Sequence, residues 1–97
     1  MKYTVYILHF NIPYIKSGKA FRHYVGYTKD LDKRLRLHRE GRGSKWVKFM
    51  LQHGSDFVVS RTWEFDTQQD ARRKEIKIKN GHASKYCPLC TKQKSKQ

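Results

Sequence analysis

Residues 3–10, YTVYILHF, carry β-branched and aromatic side chains at odd and even positions alike. A strand built from them is apolar on both faces, and so it must be covered on both. This demand falls on a chain of 97 residues, long enough for one domain at most, in which folding buries roughly 60–65% of the unfolded surface. Residues 23–28, HYVGYT, repeat the aromatic and β-branched character. The two segments read as an antiparallel hairpin whose connection, NIPYIKSGKAFR, is long and basic and holds the turn residues Pro13 and Gly18.

Asp30 can cap a helix in which Leu31 and Leu35 share a face and Lys33, Arg36 and Arg39 point outward, with Gly41 and Gly43 ending it. SKWVKFMLQHG reads as a second helix, capped by Ser44, turned inward at Trp46, Phe49 and Met50, and stopped at Gly54. In FVVSRTWEF, residues 57–65, Phe57, Val59, Trp63 and Phe65 alternate with more polar neighbours, the pattern of a third strand. Thr67 and Asp70 form a capping box that opens a third helix ending near Gly81. The domain is expected over residues 1–90, and residues 91–97 read as a basic, disordered tail.

Twenty-two Lys+Arg against eight Asp+Glu give a formal charge of +14. Such self-repulsion favours a polyanionic partner, and nucleic acid leads. Neither a 20-residue apolar span nor a wide amphipathic face supports a membrane partner. Cys87 and Cys90 cannot build a disulfide framework, and MKYTVYILHF lacks a secretory cleavage site. The expected location is cytoplasmic.

Within the third helix, Ala71, Glu75 and Ile78 fall on one stripe, while Arg72, Arg73, Lys77 and Lys79 occupy other faces. A carboxylate on an inward stripe needs a cation. That cation is either a side chain, Arg34 or Lys79, or a divalent metal such as magnesium held by one carboxylate, waters and phosphate oxygens. Tyr6 and Tyr24 on paired strands, with Arg34 on the next helix, offer a proton acceptor and a phosphate clamp, or else ordinary packing and a solvated charge. His38, one turn after Arg34, is either an orienting hydrogen-bond partner or a histidine suited to a helix C-terminus.

TVYIL with Tyr6, YVG with Tyr24 and Gly26, YTKDLDKRLRLH with Arg34 and His38, GRGSKW, and ARRKEIKIK with Glu75 occur in order over about residues 3–80. In these words the chain resembles the GIY-YIG nuclease superfamily, particularly its small single-domain members, similar to the N-terminal nuclease domain of bacterial excision repair. It departs in Thr4-Val5, which stand for Gly-Ile, in Arg39, where small members often have asparagine, and in the longer NIPYIKSGKAFR, expected to be a substrate-facing insertion. The resemblance implies an α+β fold, a small three-stranded antiparallel sheet flanked by helices, and a divalent-metal-dependent DNA endonuclease using one Mg2+ or Mn2+. By the same resemblance Glu75 holds the metal, Arg34 stabilises the scissile phosphate, Tyr6 is the general base and Tyr24 orients water or phosphate. A tyrosine of ordinary pKa near 10 is ionised about once in a thousand molecules at pH 7. That role therefore needs the metal, Arg34 and nearby lysines to favour phenolate.

Lys16, Lys19 and Arg22, Arg39, Arg42, Lys45 and Trp46, and Arg72, Arg73 and Lys77 are the expected DNA-contacting residues. Nothing resembles a base-reading module, so specificity is expected to be weak or supplied by a targeting protein, and a homodimer is the other expected assembly. GHASKYCPLC offers His82, Cys87 and Cys90 as three ligands of a structural Zn2+, the fourth coming from His53, His23 or another chain, against simple packing of two thiols. The competing functions are a non-catalytic nucleic-acid-binding module on the same fold and a zinc-dependent interaction module.

Overall fold

The computed structural model describes residues 2–81 and 83–90. Among these, β1 (Tyr3–Lys16), β2 (Lys19–Thr28) and β3 (Phe57–Phe65) form an antiparallel sheet in the order β2-β1-β3. The helices are α1 (Leu31–Arg39), α2 (Lys45–Gln52) and α3 (Gln68–Asn80), followed by a short 3₁₀ turn at Ala83–Lys85. The fold is α+β, a three-stranded antiparallel sheet with flanking helices.

The doubly apolar β1 is the central strand. Tyr6, Leu8 and Phe10 point to one side, where they pack with Val47, Met50 and Phe57, and Val5 and Ile7 point to the other, where they meet Val25, Ala71 and Ile78. Helices α1 and α2 thus cover one face and α3 the other. The caps are those the sequence implies: the backbone N–H groups of Lys33, Val47 and Asp70 donate to the side chains of Asp30, Ser44 and Thr67. In α2 the buried stripe is Val47 and Met50, whereas Trp46 and Phe49 are half-buried at its margins.

Two expectations are corrected. NIPYIKSGKAFR is not a loop: β1 and β2 continue through it to a tight turn at Ser17 and Gly18, both at positive φ, 52° and 78°. Paired left-handed residues give the turn a twist that matches the strands, and Pro13 lies in the register shift between His9 and Tyr14, where a missing donor is tolerated.

The second correction concerns β3. Phe57, Val59, Trp63 and Phe65 share a parity but not a face, because Phe57 and Val59 join the Tyr6 side and Trp63 and Phe65 the Val5 side. The register shifts between Ile7↔Arg61 and Leu8↔Val59, leaving Ser60 as the extra residue. One inserted residue transfers every later side chain to the opposite face.

Candidate active site

Residue by residue, the candidate site comes from four elements. Tyr6 lies on β1 opposite Gly26, and Tyr24 lies on β2 opposite Leu8. Arg34 projects from α1 and Glu75 from α3, and all four line one open cleft of about 530 Å³. Tyr24 belongs to the α1/α2 side of the sheet, while Tyr3 and Tyr27, which also line the cleft, belong to the α3 side. The site therefore sits at the β2 edge, where the two faces meet.

Gly26 makes this convergence sterically feasible. A Cβ there would lie 2.7 Å from Tyr6 Oη and 3.1 Å from Tyr24 Cε2. The two phenol rings stand 6.2 Å apart, tilted by 40°.

The Glu75 side chain is 16% exposed, and its Oε1 lies 3.7 Å from Lys79 Nζ, one helical turn on. Of the cations weighed from the sequence, Lys79 is thus in contact. The pairing is long, and Lys79 is itself largely exposed, so it contributes little. The donors facing the cleft are hard oxygens, the Glu75 carboxylate and the Tyr6 and Tyr24 phenols. They fit a magnesium- or manganese-like cation that keeps several waters, and Glu75 is the side chain that would hold it.

Tyr6 is buried, and its Oη lies 2.8 Å from Nε2 of the fully buried His38 in the last turn of α1. Burial, Tyr24 and Glu75 push the Tyr6 hydroxyl well above its usual pKa, and the opposing pull of Arg34 is too weak to compensate. Arg34 thus favours phenolate in the expected direction, but burial of Tyr6 outweighs it. His38 is held below its ordinary value by burial and then by Arg34, so its ring is neutral near pH 7. Its Nδ1 is buried without a hydrogen-bond partner among the described residues. A Cβ on Gly43 would come within 2.7 Å of that nitrogen, so the glycine loop after α1 closes against the ring.

The basic residues expected to contact DNA are dispersed. Lys16 and Lys19 flank the hairpin turn, Lys45 opens α2, and Arg72, Arg73 and Lys77 are exposed along α3. Arg39 is held by Asp56, at 2.9 Å, and stacks on the Phe57 ring at 4.3 Å, so it fastens α1 to β3. Trp46 packs edge-on against Phe10. Arg42 pairs with Glu40 and also lines a second groove beside the cleft, with Lys29, Lys33 and Arg34. Lys29 and Lys33 were not singled out from the sequence, since Lys33 reads only as the solvated side of α1.

Among the residues considered as zinc ligands, Cys87, Cys90 and His23 come together, joined by His9. Burial and Arg22 lower the pKa of His9, and burial, His9 and Arg22 bring His23 down to about 4. His53 lies elsewhere, its Nδ1 2.8 Å from the Phe49 carbonyl oxygen, and Arg22 lies on β2 beside His23. His82 and the tail at 91–97 lie outside the described residues.

Together these features define a small α+β domain with paired tyrosines, an arginine and a helical glutamate around one cleft. The chain belongs to the GIY-YIG catalytic domain family, whose model matches residues 2–87. It is similar to UPF0213 protein BH0048 of Halalkalibacterium halodurans, at 33% identity over 67 residues, covering 69% of this chain and 67% of that protein. Another relative is UPF0213 protein SSP2268 of Staphylococcus saprophyticus, at 33% identity over 76 residues, 78% of this chain and 88% of that protein. The solution NMR structure of the UPF0213 protein BH0048 from Bacillus halodurans aligns at 32% identity over 82% of this chain and 72% of that chain, with a TM-score of 0.40.

Proposed function

We propose that the protein is a divalent-metal-dependent DNA endonuclease that hydrolyses phosphodiester bonds at the Tyr6–Tyr24–Arg34–Glu75 cleft. The observation that carries this reading is the convergence of those four side chains, distant in sequence, on one open cleft. A nucleic-acid-binding module needs cations and stacking surfaces, not a helical carboxylate turned into the same cleft as an arginine and two phenols. Membership of a nuclease family agrees with it.

A divalent cation on Glu75 would polarise the scissile phosphate and neutralise developing charge. Arg34 binds a non-bridging phosphate oxygen and gains strength as the phosphate becomes pentavalent. Tyr24 positions the attacking water. Tyr6 takes a proton from that water as its own hydroxyl proton passes to Nε2 of neutral His38, along the 2.8 Å contact. At neutral pH an imidazole is a far better proton acceptor than a buried phenol, so the pair does what the tyrosine could not do by itself. As the new P–O bond forms, the bond from phosphorus to the leaving sugar oxygen breaks, that oxygen takes a proton from solvent in the open cleft, and the imidazolium returns its proton to solvent.

Phosphate contacts from the hairpin tip, the Lys29–Lys33–Arg42 groove and the outer face of α3 would hold the strand with little base selectivity. The test is conversion of supercoiled plasmid and of a branched oligonucleotide with Mg2+, with Mn2+ and without added metal, beside Arg34→Ala. Metal-dependent nicking reduced about 100- to 1000-fold in the variant is the expected result. Binding with no cutting of either substrate under any metal condition would favour the non-catalytic module.

A further inference from the structure

The region around His9, His23, Cys87 and Cys90 lies apart from the cleft lining, and its geometry is that of a shared centre. His9 and His23 are directly opposite each other across β1 and β2. Their facing nitrogens, Nδ1 of His9 and Nε2 of His23, are 3.3 Å apart. The sulfur of Cys87 lies 3.5 Å from His9 Nδ1, and that of Cys90 lies 3.7 Å from His9 Nδ1 and 3.3 Å from His23 Nε2. All four ligand atoms lie within 4.8 Å of one another. Around a tetrahedral zinc, with Zn–N about 2.0–2.1 Å and Zn–S about 2.3 Å, neighbouring ligand atoms stand roughly 3.3–3.8 Å apart. A chain of ordinary hydrogen bonds satisfies pairs of atoms and gives no reason for four donors to crowd around one point.

The local sequence prepares this arrangement. The Cys87 N–H donates to Ala83 O and the Cys90 N–H to Cys87 O, so the C-P-L-C segment folds back and presents both sulfurs to the hairpin. Tyr86, just before it, packs edge-on against Trp63, and its carbonyl accepts from Arg61 at 3.3 Å. The segment is thus seated on β3 as well, which fixes where the cysteines arrive.

We propose that His9, His23, Cys87 and Cys90 form a structural Zn2+ site that clasps the C-terminal segment to the β1–β2 hairpin, separate from any cation at Glu75. Zn2+ displaces the two thiol protons, so the bound site is electrically neutral, as suits its part-buried surroundings in a strongly basic protein. Four protein ligands close the coordination sphere and leave no position for substrate, which makes the site structural.

The test is elemental analysis of the untagged, full-length protein purified without chelator, together with the visible spectrum after exchange for Co2+. The expected results are about one zinc per chain and a four-coordinate, thiolate-ligated cobalt spectrum. Zinc should fall to background in Cys90→Ser and in His23→Ala, be retained in His23→Cys, and be unchanged in Glu75→Ala. His23→Cys replaces one zinc ligand by another, so metal retention in it separates loss of a ligand from failure to fold. A zinc ratio near zero with no uptake of added Zn2+, or a mass two hydrogens short that marks a Cys87–Cys90 disulfide, would overturn the proposal. So would a six-coordinate, oxygen-ligated cobalt spectrum, or stoichiometric zinc that survives in Cys90→Ser and His23→Ala.

Discussion

The pairing of Tyr6 with His38 decides how the cleft would handle a proton. With the phenol pushed up by burial and the imidazole held neutral below its usual value, the proposed proton transfer would follow the neutral fraction of His38. We therefore expect single-turnover cleavage to rise with pH through the acidic range and to level off above about pH 7. A log-linear climb continuing through pH 9 would instead identify free Tyr6 phenolate as the base. His38 also couples folding to pH. Its folded pKa is depressed below about 6.5, so the unfolded chain binds the proton first, and stability falls as pH drops below that value. Urea unfolding at pH 7 and pH 5 should show a smaller pH dependence in His38→Gln than in the parent. Gly43→Ala, whose Cβ would meet His38 Nδ1 at 2.7 Å, should lower cleavage more than DNA binding. Equal losses in both assays would contradict a local displacement of the ring.

Four elements, β1, β2, α1 and α3, each bring a different part of the candidate site, and α3 carries its carboxylate on a stripe otherwise made of Ala71 and Ile78. Its N-cap hydrogen bond, from the Asp70 N–H to Thr67 Oγ1, is 3.2 Å long. Thr67→Ala should cost about 1 kcal/mol, lowering Tm by roughly 4–8 °C, while leaving cleavage at low temperature near the parent value. A large loss of cleavage with Tm unchanged would mean that the cap positions Glu75 directly. Capping chemistry, the α3 stripe and the five motif words were legible in the sequence because each is a short-range signal, whereas the α2 stripe was legible only at Met50. The Ser60 bulge was not, since strict alternation in FVVSRTWEF gives no hint that the partner strand is one residue short. The full length of the hairpin strands was not legible because Pro13 and Gly18 both read as turn residues, whereas Ser17 and Gly18 form the turn. His9 could have been found: any antiparallel register that sets Tyr6 opposite Gly26 also sets His9 opposite His23.

At the scale of the whole molecule, a formal charge of +14 surrounds a cleft with a glutamate among its lining residues. Such a field would steer polyanions towards the protein, and under the proposed function the Glu75 carboxylate would hold the cation that faces the phosphate. Engagement of about six phosphates should make the logarithm of the DNA-binding constant fall with a slope of about −5 against the logarithm of salt concentration. A slope near −1, measured by fluorescence anisotropy, would mean that the dispersed lysines and arginines do not contact DNA. Among the described residues no helix is long and apolar enough to cross a membrane. The most direct test of the central claim sets Glu75→Ala beside the parent, with cutting and binding measured on the same labelled DNA in Mg2+ and in Mn2+. Cleavage is expected to fall by at least about a thousandfold in the variant, with DNA affinity unchanged or slightly raised as a negative charge leaves the cleft. Undiminished cleavage in Glu75→Ala would contradict it.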